Sequence, residues 1–380
     1  MDVHLLWLLF RFSNSFRLIR SHLGTIGMAD KLISKKKIPF PISECLSTYL
    51  STYGRNIKIP INYEDLLRFE GAVPILDEND EDTLWLNCFY SPSDSKDINL
   101  SLKRMYCILH ADGSDTILPY LNIDSIDFCT FGNTKPFRIK VRNIINDNYI
   151  FLYIKRADAS RIYGLELEHL LSPNNINFLV YQNTLIEEHI LGIPGDVFIE
   201  KHLKHLPPQD KKALAKEFVK FNERCFIRLL GDMRAYNFVI VITQDFDRVQ
   251  YRIRAIDFDQ QSYEGRSRVY KPQFLKENNP LVKMTIESFP QVSIDQYKIE
   301  ERSLLAKRAK SEDKRLDSLM TCMKADTLSL PEKVTQLKGE LFDLTKDVSF
   351  KKAHTMGQIV QAALDFVVKN YNTENPYIMQ

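Results

Sequence analysis

A hairpin sitting inside a helical stretch constrains this fold more than any other feature. Residues 237–242, "NFVIVI", and 251–258, "YRIRAIDF", are short apolar runs joined by the polar turn "TQDFDRVQ". Around them, from about residue 209 onward, the apolar positions recur at helical spacing. In "DKKALAKEFVKFNERCF", for example, Leu214, Phe218, Phe221 and Cys225 fall on one face, and Gln209 or Asp210 can start the helix. Residues 293–311, 331–345 and 352–371 read the same way. From about 30 to 205 the character is the opposite. "LWLNCFY", "RIKVRN", "YIFLYIK", "NFLVYQ" and "TLIEEHI" alternate as strands do, and "INLSLKRMYCILH" is read with them. A sheet-rich N-terminal part followed by a helix-rich C-terminal part that holds one hairpin is an α+β layout. No stretch repeats at a period of 20 to 50 residues, which sets solenoids and propellers aside.

A chain of 380 residues suffices for two domains, or for one two-lobed unit with a cleft. Its 51 basic and 49 acidic residues balance to a formal +2, so charge gives no case for a nucleic-acid or membrane-surface partner. Cysteines 45, 88, 107, 129, 225 and 322 form no CxxC pair and stand apart from any histidine at ligand spacing. They read as reduced thiols of a cytoplasmic protein, not as a disulfide framework or zinc site. Near the start, "HLLWLLF" is too short to span a bilayer, and its positive charges (Arg11, Arg17, Arg20) follow the apolar run instead of preceding it as in a secretory signal. Residues 3–20 are either an amphipathic helix lying on a surface or sequence upstream of a start at Met28, and no integral membrane span is expected.

The hairpin is preceded by "LLGDMRAYNFVIVI", residues 229–242, which lodges Asp232 and Asn237 where the flanking sequence asks for burial. A buried carboxylate is costly unless paired, protonated or bound to a metal. A hairpin also sets the start of one strand beside the end of the other, so Asn237 should approach Asp257 of "AIDFDQQ", with Asp232 on the same loop. Three such oxygen-bearing residues suit Mg²⁺, a hard cation that takes one or two carboxylates along with substrate phosphates. The plainer alternative is an Asx-type turn before a structural hairpin with surface aspartates.

A D-x-x-x-x-N loop, a hairpin and then Asp-Phe-Asp resembles the catalytic loop and metal motif of the protein-kinase-like phosphotransferases. Within that superfamily "LGDMRAYN" and "IDFD" are most similar to the aminoglycoside phosphotransferase and choline kinase branch, whose pattern is H-G-D-x-x-x-x-N and then I-D-x-D/E. Leu230 stands at the family's histidine position. The resemblance covers residues 138 to 262 and implies a two-lobed kinase-like fold. Residues 136–192 would form a sheet-rich N-terminal lobe and 193–380 a helical C-terminal lobe. Residues 1–27 and an α/β extension over 28–135 would precede them.

What the resemblance implies chemically is an ATP- and Mg²⁺-dependent transfer to a hydroxyl acceptor. Asp232 would be the base, Asn237 and Asp257 would hold Mg²⁺, and Asp259 would be a second metal ligand or a support for the loop. Lys155, at the end of the strand "YIFLYIK", would neutralise phosphate charge. On the following helix, capped by Asp158 or Ser160, Ile162, Tyr163, Leu165, Leu167 and Leu170 mark a buried arc. Glu166 falls inside this arc and Glu168 on the opposite face, so Glu166 needs a cationic partner, either Lys155 or an arginine elsewhere. In "FLVYQNTLIEEHILGIPG" the segment Glu188, His189, Ile190 resembles the hinge whose backbone reads adenine, with His189 a surface residue there. Two features depart from the pattern. No Gly-rich loop precedes Lys155, where "IINDN" supplies the turn, and Tyr153 stands two residues before the lysine in place of a small residue. Transfer of AMP, and a nucleotide-binding pseudoenzyme or interaction scaffold, are the alternative readings. Arg266, Arg268 and Lys271 are the cations available to an anionic acceptor, or else belong to a solvated loop.

Overall fold

The computed structural model describes residues 37–110, 113–131, 134–246 and 249–371. The segment 1–27, with its candidate amphipathic helix at 3–20, lies outside the described residues. In chain order come α1 (Glu44–Thr52), α2 (Tyr63–Leu66), β1 (Gly71–Leu76), β2 (Asp82–Phe89), α3 (Pro92–His110), β3 (Leu121–Cys129), β4 (Phe137–Asn143), β5 (Tyr149–Arg156), α4 (Ala159–Leu171), β6 (Phe178–Tyr181) and β7 (Thr184–Glu188). There follow β8 (Ile193–Pro194), α5 (Gly195–Lys201), α6 (Pro208–Arg228), β9 (Phe238–Gln244), β10 (Val249–Ala255), α7 (Asn279–Ser288), α8 (Gln291–Ser311), α9 (Asp313–Ala325), α10 (Pro331–Thr345), α11 (Val348–Lys352) and α12 (Met356–Asn370). The result is a mixed architecture, sheet-rich in its N-terminal region and helical in its C-terminal region.

Seven strands make one sheet in the order β1-β2-β3-β4-β5-β7-β6, every neighbouring pair antiparallel. The strands of residues 71–129 therefore continue the sheet that carries Lys155. Alternation assigns the two faces. Leu152 and Ile154 of β5, Ile139 and Val141 of β4 and Ile186 of β7 pack with Ile98, Leu102 and Met105 of α3. Tyr153 and Lys155 fall on the other face, beside Leu185 and Glu187 of β7.

The strand expected over 98–110 is instead the C-terminal two-thirds of α3. Ile98, Leu102 and Met105 are spaced i, i+4, i+7, so one helical stripe covers the sheet, and Pro92 suits the first helical position. The apolar content had masked that period.

A second core holds the helical region together. It centres on α4, whose Ile162, Tyr163, Leu165 and Leu167 pack with residues of α6, α8, α9 and α12. The β9–β10 hairpin pairs Phe238 with Ala255, and β8 adds a short third strand. Contrary to the reading of six reduced thiols, Cys45 of α1 and Cys322 of α9 form a disulfide, 277 residues apart in sequence. Tyr163 and Ser43 both donate to Asp326 just beyond it, at 2.7 and 3.0 Å, so α1, α4 and α9 meet at one point. Cys88, Cys107 and Cys225 are buried free thiols and Cys129 is half-buried. No described helix is long and apolar enough to cross a membrane.

Candidate functional site

The loop between α6 and β9 is fixed by backbone pairing with the segment that follows β10. α6 closes on Leu229 in the left-handed conformation (φ 54°), and the Ser262 N–H donates to Leu229 O at 2.8 Å. Leu230 bridges to Gln261, and the Gly231 N–H reaches Gln260 O. A Cβ on Gly231 would lie 3.0 Å from both Gln260 O and a Val269 methyl, so this approach calls for glycine. Asp232 itself sits at φ 58°, a conformation that aspartate tolerates better than most residues. The loop is pinned below by Asn278, fully buried, whose amide donates to Met233 O and Pro272 O.

Asn237 closes the loop twice. Its side-chain amide donates to Asp232 O at 2.7 Å, while its own carbonyl accepts from the Ile256 N–H at 3.0 Å. Asn237 and Asp257 are thus brought to neighbouring backbone positions by the hairpin, as the sequence implied. The Asp232 carboxylate accepts from Arg234 Nε at 2.7 Å, and Arg234 also binds Glu277 at 2.8 Å. Burial outweighs Arg234 and pushes the Asp232 carboxyl up to about 6.

Lys155 does not pair with Glu166. Its Nζ meets Glu187 Oε2 at 2.7 Å, and Glu187 comes from β7 in the sheet, not from the helix. Register explains the exchange. Tyr153 faces Glu187 and Lys155 faces Leu185 across the β5–β7 ladder, so Lys155 and Glu187 are diagonal neighbours on one face. Glu166 turns away to α1 and α9, where it binds Arg55 Nε at 2.9 Å, Arg315 at 2.8 Å and the Tyr49 hydroxyl at 2.6 Å. Of the two partners open to Glu166 in the sequence, the arginine alternative holds. Glu168, on the supposed outer face, is also buried and is paired with Arg228. Burial is the largest effect and opposes its charge, but Arg228 and the Ser172 and Asn174 side chains together outweigh it and hold its carboxyl at about 2. α4 is enclosed on both sides.

The charged side chain that α4 does send to the site is Arg161, 1% exposed. Its Nε and Nη2 grip the two oxygens of Glu187, and its Nη1 lies 2.8 Å from Asp257 Oδ1 and 2.6 Å from Asp259 Oδ1. Burial works against its charge, yet Glu187, Asp259 and Asp257 together keep the guanidinium protonated. Burial alone would likewise raise the Glu187 carboxyl, but Arg161 and then Lys155 overcome it and hold the group at about 2. For Asp259 burial is again overcome by Arg161 and Lys155, whereas burial and the Asp259 carboxylate push Asp257 up. Lys155 and Arg161 against Glu187, Asp257 and Asp259 leave a net charge of −1. Two local devices aim Arg161. Asp158 caps the helix by accepting the Arg161 backbone N–H, and is itself gripped by Lys37 and the Phe40 N–H. Gly164 lets the helix lie against the Phe258 and Gln261 side chains, 3.1 Å from where its Cβ would be.

An open cavity of about 170 Å³ lies beside this chain of charges. Lys155, Glu187, Tyr153 and Leu165 line it, together with Glu188, His189 and Ile190 and with Ile256 and Phe258 on either side of Asp257. The expected hinge segment and the expected lysine therefore share one cavity. His189 is half-buried, not a surface residue: its N–H donates to Phe151 O at 3.0 Å, and its ring rests against Phe151 and Tyr153. Glu188 is tied outward to Asn177 at 2.8 Å. Among the described residues no group of three or more His, Cys, Asp or Glu is gathered to hold a metal ion. The nearest donor set is Asn237 with Asp257 and Asp259; Arg161 takes Oδ1 of each carboxylate, and their Oδ2 atoms have no hydrogen bond within the described structure.

Arg161, Glu187 and Arg234 are the charged groups that the sequence reading did not select. A signal existed for Glu187, because strand alternation puts it on the Lys155 face once the two strands are neighbours. Lys271 of the candidate acceptor segment lies over the Phe226 ring at 4.4 Å, and Arg268 over Phe274 at 5.1 Å.

No family model matches this chain, and no curated protein matches it. Solved structures with a likeness to it include the crystal structure of the kinase domain of PF14_0431. That domain is 12% identical, with 66% of this chain and 89% of that one covered, at a TM-score of 0.24.

Proposed function

We propose that this chain is a kinase-like phosphotransferase that uses ATP and Mg²⁺ to phosphorylate a hydroxyl acceptor. In this reading residues 136–192 act as an N-terminal lobe, extended by 28–135, and 193–380 as a C-terminal lobe. The observation that carries it is the cavity: it joins Lys155, the 188–190 segment and the residues flanking Asp257, while the hairpin sets Asn237 beside that strand end. Its lining, largely apolar with a few charged groups, suits a small ligand.

Each residue has a task that its surroundings permit. The Ile190 N–H offers a hydrogen bond to a base, since the Glu188 and His189 N–H groups are held by Asn177 O and Phe151 O, and Tyr153 offers it an aromatic surface. Lys155, held in its ion pair with Glu187, offsets phosphate charge. Asn237 Oδ1 and the free oxygens of Asp257 and Asp259 are hard donors of the kind Mg²⁺ takes, so the set fits that ion. Bound there, Mg²⁺ would neutralise charge on the transferring phosphate. Asp232, aimed by Arg234, accepts the acceptor's proton. Chemistry of this type is mostly positioning and electrostatics, which a handful of fixed charges can supply.

The test is transfer of label from ATP marked separately on the α and γ phosphates, with thermal unfolding run beside it. Asp257→Asn should lose both Mg-ATP stabilisation and transfer. Asp232→Asn should keep the stabilisation, about 2.7 kcal/mol at ~100 times Kd, while transfer falls ~10²–10⁴-fold. A melting curve unmoved by millimolar Mg-ATP would sink the proposal, and transfer of the α label would assign AMP transfer instead.

A further inference from the structure

Arg161 occupies an unusual place for a structural ion pair. Its Nη1 stands between Asp257 Oδ1 and Asp259 Oδ1, where a cation shared by the two carboxylates would stand. The guanidinium is wholly enclosed, with 2% of its side chain exposed, whereas the Asp257 side chain is 37% exposed. A positive charge thus backs the aspartate pair from inside the protein, and the front stays open to solvent. The arrangement is built, not incidental. Glu187 holds the other edge of the fork in two hydrogen bonds, the Asp158 cap fixes the helical turn from which Arg161 leaves, and Gly164 admits the helix to this depth.

We propose that Arg161 is the resident counter-cation of the Asp257–Asp259 pair and makes divalent-cation binding there conditional on an anionic nucleotide. The inference rests on the phosphotransfer reading, since it takes the two aspartates as metal ligands. With Arg161 in place the charged group carries −1, which attracts a divalent ion weakly. Removing the guanidinium would leave −2 around the same oxygens. A triphosphate in the adjoining cavity brings its own negative charge, and only then does a divalent cation gain enough partners to stay. Arg161 is a positioning residue in this account: it acts on the aspartates and touches neither acceptor nor phosphate.

Retention of Mn²⁺ by the full chain in equilibrium dialysis tests this, with and without a non-hydrolysable ATP analogue. Wild type should retain little Mn²⁺ alone and clearly more with the analogue. Arg161→Gln should bind Mn²⁺ alone at least ~10-fold more tightly, because a unit charge a few Å from a divalent ion is lost. Adding Asp257→Asn to that variant should abolish the gain. Wild type retaining Mn²⁺ equally with and without the analogue would overturn the inference while leaving the phosphotransfer reading intact. So would a folded Arg161→Gln chain no tighter than wild type. Absence of retained Mn²⁺ from both chains, with and without the analogue, would remove the phosphotransfer reading and this inference together. Circular dichroism monitors folding of Arg161→Gln; should it not fold, the wild-type pair of measurements decides, with Arg161→Lys expected to stay as weak as wild type for Mn²⁺ alone.

Discussion

Substituting Glu187 by glutamine isolates what the buried charge chain contributes to stability. The group sits between two cations, with Lys155 at 2.7 Å and Arg161 on both carboxylate oxygens, and is 7% exposed. Its carboxyl is held at about 2, from an ordinary 4.5. At about 1.4 kcal/mol per pH unit, that depression corresponds to roughly 3 kcal/mol. Removing one partner from a buried pair costs about 3–5 kcal/mol, so the two routes agree. For a chain of this length the loss lowers Tm by about 4 °C. The sign follows from the direction of the shift. A carboxyl depressed in the folded state stabilises above its unfolded pKa and loses that contribution as pH falls towards its folded one. The measurement is urea unfolding of wild type and Glu187→Gln between pH 7 and pH 3. The gap should be constant from pH 7 down to about 5, then shrink to less than about half by pH 3. Equal stability at pH 7, or a gap that does not change with pH, would refute the assignment of Glu187 as the ionised centre of the chain.

Two further outcomes follow from other parts of the structure. With its carboxyl at about 6, Asp232 must lose a proton to serve as a base, so kcat/KM for transfer should rise about tenfold per pH unit below 6 and level off above it; a midpoint near 4 would show that burial does not govern this group. Reducing the Cys45–Cys322 bond, or making Cys322→Ser, should cost about 2–5 kcal/mol, because the bond closes a loop of 277 residues, and thiol-reactive labelling alongside denaturant melts reads it directly.

The loop and hairpin were legible because each is local. A glycine, an aspartate and an asparagine before an apolar strand, and a second strand after one polar turn, fix their own geometry within about thirty residues, and antiparallel pairing of Phe238 with Ala255 does the rest. Long amphipathic helices such as α6 and α10 were legible for the same reason. The helix over 98–110 was not, since a run dense in Ile, Leu, Met, Tyr and Cys satisfies both periods at once and only its burial stripe separates them. The disulfide was hidden by distance: nothing near Cys45 or Cys322 marks them as partners, and α1 comes to lie on α9 only once the 277 residues between the two cysteines have folded.

The partners of the charged groups were hidden for a more specific reason. Choosing Glu166 over Glu168 assumed that α4 has one buried face, yet the helix lies between the sheet and the helical core, and both glutamates are buried. In such a helix periodicity ranks no position above another, and each charge goes to whichever element it faces. Glu166 faces α1 and α9, Glu168 faces α6, and Arg161, nearer the N-terminus of the helix, faces the strand ends. Lys155 is then left to the sheet, where register hands it Glu187. That a buried Glu166 needs a cation was readable in the sequence; which acid Lys155 meets is a property of strand order. That same order places an arginine against the aspartates, which is why the charge balance of the site belongs to the fold and not to any one motif.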